Sequence, residues 1–221
     1  FDIDEITYED EIAKAFNKAL HFLGYQMRSE YEVKKKLLDA GHGEAVVLEA
    51  IRKLENYGFL NDETYSKALL ETKKRTLKKG PRAIRQDLKK KGIDQSLQDE
   101  VLESFTYEEQ LDIAMQLAEK EVRVGNRKTP MQVKQKIQDV LMRKGYSFNI
   151  VSDVLERIQL EREEDAWEDM IVAQGEKIWR KFAAKFSGIE RNMKVKQALY
   201  QKGFPIEVIN RFIEEKEQEE A

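Results

Sequence analysis

The chain has 221 residues, of which 41% are apolar and 37% charged, with 39 Lys and Arg against 42 Asp and Glu. The absence of cysteine excludes disulfide bonds and thiolate metal sites, and no apolar run approaches the roughly 18 residues of a membrane-spanning helix. The start is acidic, unlike a signal peptide, and Phe1 stands where an initiator Met is expected, so we expect the sequence to begin inside a longer chain. The composition favours helix, because prolines and glycines are few and Glu, Lys, Gln, Leu and Ala are many. A chain without cysteine suits the reducing cytoplasm.

Four stretches of the chain align on the glycines Gly41, Gly92, Gly145 and Gly203, which are 51, 53 and 58 residues apart. Each glycine has aliphatic residues eight and four positions before it and five and ten positions after it. The sixteen positions are Val33, Leu37, Val46, Ile51, Ile84, Leu88, Leu97, Leu102, Ile137, Leu141, Ile150, Leu155, Val195, Leu199, Val208 and Ile213. A recurrence of this length is typical of helical repeat proteins.

The spacing within each stretch predicts a helical hairpin. Apolar residues four apart share one face of a helix, and a glycine ends a helix because it adopts the left-handed conformation without steric cost. Capping boxes are predicted at Ser29 with Glu32, Thr106 with Glu109 and Thr129 with Gln132, and Pro81, Pro130 and Pro205 fit helix starts. A further helix precedes each hairpin, at roughly residues 10–26, 62–79, 107–124 and 163–187.

We therefore predict an all-α fold, an elongated array of about four tandem three-helix repeats, because a repeat of this size buries too little surface alone. The expected limits are a lead-in at residues 1–9, repeats at 10–58, 59–105 and 106–160, and a fourth repeat with an acidic tail at 161–221.

The segment "KKRTLKKGPRAIRQDLKKKG" (73–92) holds ten basic residues and a single acid, Asp87, in a chain that is slightly acidic overall. With Ile84 and Leu88 facing the core, Arg82, Arg85 and Lys89 fall on the outer face of their helix. In the preceding helix we expect an inner stripe and, opposite it, an outer row of lysines; the stripe is Tyr65, Ala68, Leu69, Thr72 and Thr76, and the row is Lys67, Lys74 and Lys78.

Further basic groups follow in the third and fourth repeats, whereas the acidic residues collect at 161–169 and 214–220. A basic run is often only a solvated helix face, but such faces usually mix both signs. The segregation instead suggests a polyanion or an acidic protein surface as partner. The candidate partner-binding residues are Lys67, Lys74, Lys78, Arg82, Arg85, Lys89, Arg127, Lys128 and Lys134.

The sequence offers no recognisable catalytic constellation. His21 and His42 are its only histidines and match no metal-ligand spacing, and it has no phosphate-binding loop or nucleophile motif. Asn61 or Asp62 is better explained as a helix cap than as a carboxylate site, and we expect Trp167, Trp179, Phe182 and Tyr200 in the core. We therefore expect a non-enzyme that uses no cofactor and no metal.

Three motifs, taken in order, resemble the RecX regulatory family over about residues 15–105. They are an Arg-Ser-Glu opening with a later acid (Arg28 to Glu32), a Tyr-Gly-hydrophobic-Leu-Asn-Asp turn followed by an aromatic (Tyr57 to Tyr65), and a Gly-Pro-Arg helix start with a later Lys-Gly-Ile (Gly80 to Ile93). Asn61 and Ser66 replace the expected Asp and Ala. The larger departure is length, because short family members have three repeats.

The resemblance implies a modulator of the RecA recombinase. Such proteins bind the RecA–DNA filament, lodge in its groove, and restrain its ATPase, strand exchange and co-protease activities without catalysis. We expect a monomer that contacts RecA and either single- or double-stranded DNA. The alternatives are a helical protein that binds nucleic acid directly and a scaffold that binds only proteins; a steep salt dependence of binding would indicate direct phosphate contacts.

Overall fold

The computed structural model describes residues 3–221, and all regular secondary structure within that range is α-helical. The helices are α1 (Ile3–Leu23), α2 (Glu30–Asp39), α3 (Glu44–Asn56), α4 (Asp62–Thr76), α5 (Pro81–Lys90), α6 (Gln95–Glu103), α7 (Tyr107–Val124), α8 (Pro130–Lys144), α9 (Phe148–Arg157), α10 (Glu164–Ala183), α11 (Gly188–Gln201) and α12 (Ile206–Glu220). They follow the predicted order of one leading helix and one hairpin, four times over. We refer to α1–α3, α4–α6, α7–α9 and α10–α12 as the first to fourth repeats.

The predicted all-α class and the four-fold register are confirmed. Thirteen of the sixteen aligned aliphatic positions are buried, and the other three, Val46, Leu97 and Leu155, are half-buried. The expected repeat limits at residues 58, 105 and 160 fall in the connections between helices, and they stay a prediction. The lead-in expected at residues 1–9 is helical from Ile3 onward, because α1 begins there.

The chain divides into two compact units. Unit 1 comprises residues up to 110 together with 144–146, and unit 2 comprises 111–143 with 147–221. In unit 1, α1–α3 enclose a core that includes Ala15, Val33 and Leu54. In unit 2, α10–α12 enclose a core that includes Trp179 and Phe212.

The hairpin turns and caps follow the sequence signals closely. The φ angles of Gly41, Gly92, Gly145 and Gly203 are 92°, 70°, 96° and 95°, so the glycines take the conformation that side chains disfavour. Full capping boxes form at the start of α2 and before α8, where the side chain and the backbone of the capping residue both bond to the residue three further on. At α7 the Thr106 hydroxyl accepts a hydrogen bond from the amide of Glu109, but the side-chain carboxylate of Glu109 bonds to Lys74 instead of completing the box.

The structure bears on three smaller expectations. Pro205 lies at the start of α12, as its capping residue, which agrees with the prediction of a helix start. Trp179 is buried and Trp167 and Phe182 pack against the same core, as expected, whereas Tyr200 is 60% exposed because it lies on the face of α11 opposite Val195 and Leu199. Within residues 3–221, no helix is both long and apolar enough to cross a membrane.

Candidate partner-binding surface

The inner face of α4 differs from the one predicted. Its buried residues are Tyr65, Ser66, Leu70 and Lys74, while Thr72 and Thr76 are exposed. Compared with the predicted stripe, the buried face of α4 is therefore rotated toward Ser66, Leu70 and Lys74, which are spaced four residues apart and share one face. The expectation that Lys74 projects from the outer face is wrong.

Lys74 is held by two carboxylates under an aromatic ring. Its ammonium donates to Glu71 at 2.8 Å and to both oxygens of Glu109, at 3.0 and 3.2 Å, and lies 5.3 Å from the centre of the Phe105 ring. Burial alone would lower the pKa of Lys74, but the hydrogen bonds that its ammonium donates to Glu71 and Glu109 outweigh this effect, and the pKa is raised. The same bonds lower the pKa of Glu71. This lysine ties the start of α7 to α4 and is not available to a partner.

The outer face of α5 presents the candidates that the sequence placed there. Arg82 and Lys89 are exposed, and seven residues, or about two helical turns, separate them. Neither side chain makes an ion pair or hydrogen bond with any residue in the described range. Arg85 lies between them but is held by Asp99 at 2.7 Å and by the side-chain oxygen of Gln98 at 3.3 Å. Two uncompensated positive charges therefore share this face.

The other basic residues of 73–92 are mostly compensated. Lys79 and Lys73 approach the carboxylate of Asp87 at 2.8 and 3.9 Å, and Arg75 forms an ion pair with Glu71 at 3.0 Å. Lys91 reaches Glu32 on α2 at 3.3 Å. The charge of this segment therefore serves chiefly to hold the second repeat together and to join it to the first.

Lys67 and Lys78 contribute less to an open surface than predicted. Lys67 is exposed, but it pairs with Glu63 one turn earlier on α4, at 2.8 Å. Lys78 is half-buried with a φ of 53°, and its carbonyl accepts a hydrogen bond from the hydroxyl of Tyr146 at 2.8 Å. Lys78 therefore helps to fix the link between α4 and α5.

A second group of candidates lies in unit 2. Arg127 and Lys128 are exposed in the link between α7 and α8, and Lys134 is exposed on α8. The link is anchored through its backbone, because Gln174 donates to the carbonyl of Arg127 at 3.0 Å and Arg162 donates to that of Lys128 at 3.2 Å. These backbone hydrogen bonds fix the loop that carries the Arg127 and Lys128 side chains.

The two histidines and Asn61 make local contacts. His21 lies 3.3 Å from the hydroxyl of Tyr25, His42 is 4.0 Å from Glu11, and no group of acids and histidines in residues 3–221 is arranged to hold a metal ion. Asn61 caps α4 by accepting from the amide of Thr64, as predicted. Sequence reasoning missed one feature, an exposed apolar groove beside α11 that is described below. Its signal was the presence of Ile189 and Met193 outside the repeat's core positions.

These features define a tandem helical-repeat protein with exposed basic side chains on α5, on α8 and in the link between α7 and α8. Three RecX family models match the chain: the first three-helix domain at residues 15–54, the second at 61–102, and the third twice, at 108–155 and 166–213. The double match of the third domain accounts for the fourth repeat. The chain belongs to the RecX family.

Proteins named "Regulatory protein RecX" from Bacillus velezensis and Bacillus subtilis are each 38% identical over 217 residues, covering 98% of this chain and 82% and 81% of theirs. A crystal structure of RecX from Lactobacillus salivarius is 33% identical with a TM-score of 0.64, and the alignment covers 68% of this chain and 99% of that one. The expected family is thereby confirmed, and both Bacillus relatives are named as regulatory proteins.

Proposed function

We propose that the protein binds the RecA–DNA filament in the cytoplasm and restrains its recombinase, ATPase and co-protease activities, by binding and without catalysis. Membership of the RecX family supports this, because the relatives are named as regulatory proteins. The observation that carries the proposal on this chain is the pair of exposed, uncompensated cations on α5, Arg82 and Lys89. A filament of protein and DNA offers phosphates and acidic side chains to such a face.

The test reverses these two charges and leaves their neighbour intact. In Arg82→Glu/Lys89→Glu, Arg85 keeps its bond to Asp99, so the fold retains its ion pair. We expect inhibition of the RecA ATPase and of strand exchange to require about tenfold more protein, because attraction becomes like-charge repulsion. The control, Lys18→Glu/Lys35→Glu, changes the net charge equally at two exposed residues of the first repeat.

Each outcome of this test has a definite meaning. A double variant that keeps its circular dichroism spectrum and inhibits RecA as strongly as the wild type would show that the α5 face is only a solvated surface. If the wild type leaves RecA unaffected but binds bare DNA with an affinity that falls steeply with salt, the protein acts directly on nucleic acid. ATP hydrolysis that copurifies with the protein and responds to its point mutations would contradict the non-enzymatic role.

A further inference from the structure

The hairpin turn of one repeat packs against the start of a hairpin in the repeat before it, and this joint occurs three times. A Cβ atom added at Gly92 would lie 2.3 Å from the Cβ of Tyr31 on α2. One added at Gly145 would lie 2.4 Å from the amide nitrogen of Ala83 on α5, and one added at Gly203 would lie 2.7 Å from the Cβ of Met131 on α8. The glycines therefore allow a backbone approach that no side chain would permit.

Polar contacts accompany the packing. At α5, the amides of Gly80 and Arg82 donate to the carbonyls of Lys144 and Gly145, at 2.7 and 3.1 Å. At α8, the hydroxyl of Thr129 donates to the carbonyl of Lys202. Carbonyls at the C-terminal end of one helix thus satisfy donors at the N-terminal end of another, an arrangement that the opposite partial charges of helix ends favour.

Within the described residues, one turn and one helix start remain without this contact. Gly41 forms the first hairpin turn, and a Cβ added to it would meet no atom within 4 Å. The helix start without the contact is that of α11 in the fourth repeat. It follows Ser187, whose side chain makes no capping hydrogen bond, and Ile189 in its first turn is 80% exposed. Ile189 stands two residues after the capping position, the same place that Tyr31 and Met131 occupy in their joints.

The surface beside Ile189 is an apolar groove of about 750 Å³. Met193, Tyr200 and Ile206 continue it along α11 and onto the start of α12, and they are 67%, 60% and 38% exposed. An exposed apolar patch of this kind, bordered by charged residues, is typical of an interaction site.

We propose that this groove receives the Gly41 turn of a second copy of the chain, which repeats between two molecules the joint that occurs three times within one. Charge agrees with this occupant. Lys194 and Lys196 border the groove against the single acid Glu190, whereas the turn carries Asp39 and Glu44. In the other three turns a lysine, Lys91, Lys144 or Lys202, precedes the glycine, and in the first turn that residue is Ala40.

The contact is heterologous, because the two surfaces differ, so it joins copies head to tail. It departs from the monomer that the sequence led us to expect. It also stands apart from the proposed action on RecA, because its test uses neither RecA nor DNA.

The test measures the mass of the purified chain by sedimentation velocity over a range of concentrations. We expect the wild type to grow in mass with concentration, and we expect Ile189→Glu and Gly41→Ala each to weaken association about tenfold or more. Gly41→Ala has room in the free molecule but none in a joint built like that at Gly145. Because the positive φ strains any alanine there, Asp39→Lys provides a second turn variant without that strain. Val172→Glu, at an exposed apolar residue of α10 outside the groove, is the matched control and should associate like the wild type.

Mixing the variants distinguishes head-to-tail association from a symmetric dimer. Ile189→Glu retains an intact turn and Asp39→Lys retains an intact groove, so an equimolar mixture should form dimers and nothing larger. A wild type that stays monomeric at every concentration would overturn the proposal. So would variants that associate as strongly as the wild type, or a mixture that forms no dimer.

Discussion

Replacing Lys74 by methionine separates a structural lysine from a partner-binding one. The Lys74 side chain is only 7% exposed, whereas its partners Glu71 and Glu109 are 44% and 46% exposed. Methionine keeps the length of the apolar stem beside Phe105 and removes the ammonium. Both carboxylates can then turn to water, so neither is left as a buried, unpaired charge.

The expected cost follows from these exposures. Hydrogen bonds to charged groups contribute about 1.5–3 kcal/mol when well protected, and half-exposed partners reduce that value. We therefore expect Lys74→Met to lower the free energy of unfolding by about 1–2 kcal/mol. Lys74→Glu should cost about 3–5 kcal/mol, because it buries an unpaired charge between two carboxylates. Lys67→Met, which removes an exposed pair with Glu63, should leave the free energy of unfolding nearly unchanged, because solvent screens such a pair.

Two assays on the same proteins check this reasoning. Urea unfolding gives the free energies, and inhibition of the RecA ATPase at a temperature where the variants remain folded gives the functional effect. Lys74→Met should be less stable yet inhibit like the wild type. If it were as stable as the wild type but no longer inhibited RecA, Lys74 would be a contact residue and its burial between the two carboxylates would not describe its role.

Three further variants test the core, a half-buried carboxyl and a joint. Leu88 is fully buried, so Leu88→Ala should cost about 2–5 kcal/mol in urea unfolding, and a change below about 0.5 kcal/mol would contradict the repeat register. Burial, with the charge of Glu30 adding to it, raises the pKa of Asp62 although the amide of Glu30 donates to this carboxylate at 2.8 Å. A carboxyl whose pKa is raised in the folded state stabilises the fold at low pH, and this contribution is lost as the pH rises. Asp62→Asn should therefore have a larger free energy of unfolding than the wild type at neutral pH. The difference between the two proteins should vanish as the pH falls below 3.8, the usual pKa of the group. A difference independent of pH would refute this. Gly145→Ala should be strongly destabilising by thermal unfolding, because its φ is positive and its Cβ would collide with Ala83; an unchanged melting temperature would mean that the joint yields easily.

The core of this fold was predictable because it repeats. One pattern of aliphatic residues around a glycine, read four times, identified both helices of each hairpin and the turn between them, and the buried positions confirm it. Helix caps were equally predictable where they depend on residues close together in the chain, as in the capping box formed by Ser29 and Glu32. Such signals act within a few residues of the chain, so a single sequence carries them completely.

The inner face of α4 was not predictable in the same way. Tyr65 is buried as expected, but Lys74 is buried where the sequence predicted an outer face, and Ser66, which was assigned to neither face, is buried as well. Lys74 is accommodated because Glu109, 35 residues later, reaches its ammonium. A contact between two different repeats decides the orientation, and periodicity within one helix contains no information about it.

The same distinction governs the basic segment at residues 73–92. Its charge is dense, but most of it is bound within the molecule. Arg82 and Lys89, about two turns apart on one face of α5, make no ion pair or hydrogen bond through their side chains with the described residues. Since exposed charges contribute at most about 1 kcal/mol each, two of them cannot by themselves hold a protein tightly on a filament. The proposed binding to a filament would therefore have to combine several weak contacts. Arg127, Lys128 and Lys134 are the further candidates, and the joint effect of such contacts grows through effective concentration. A head-to-tail joint at Ile189 would multiply the same contacts across neighbouring copies, so the affinity for a long filament would exceed that for a short one.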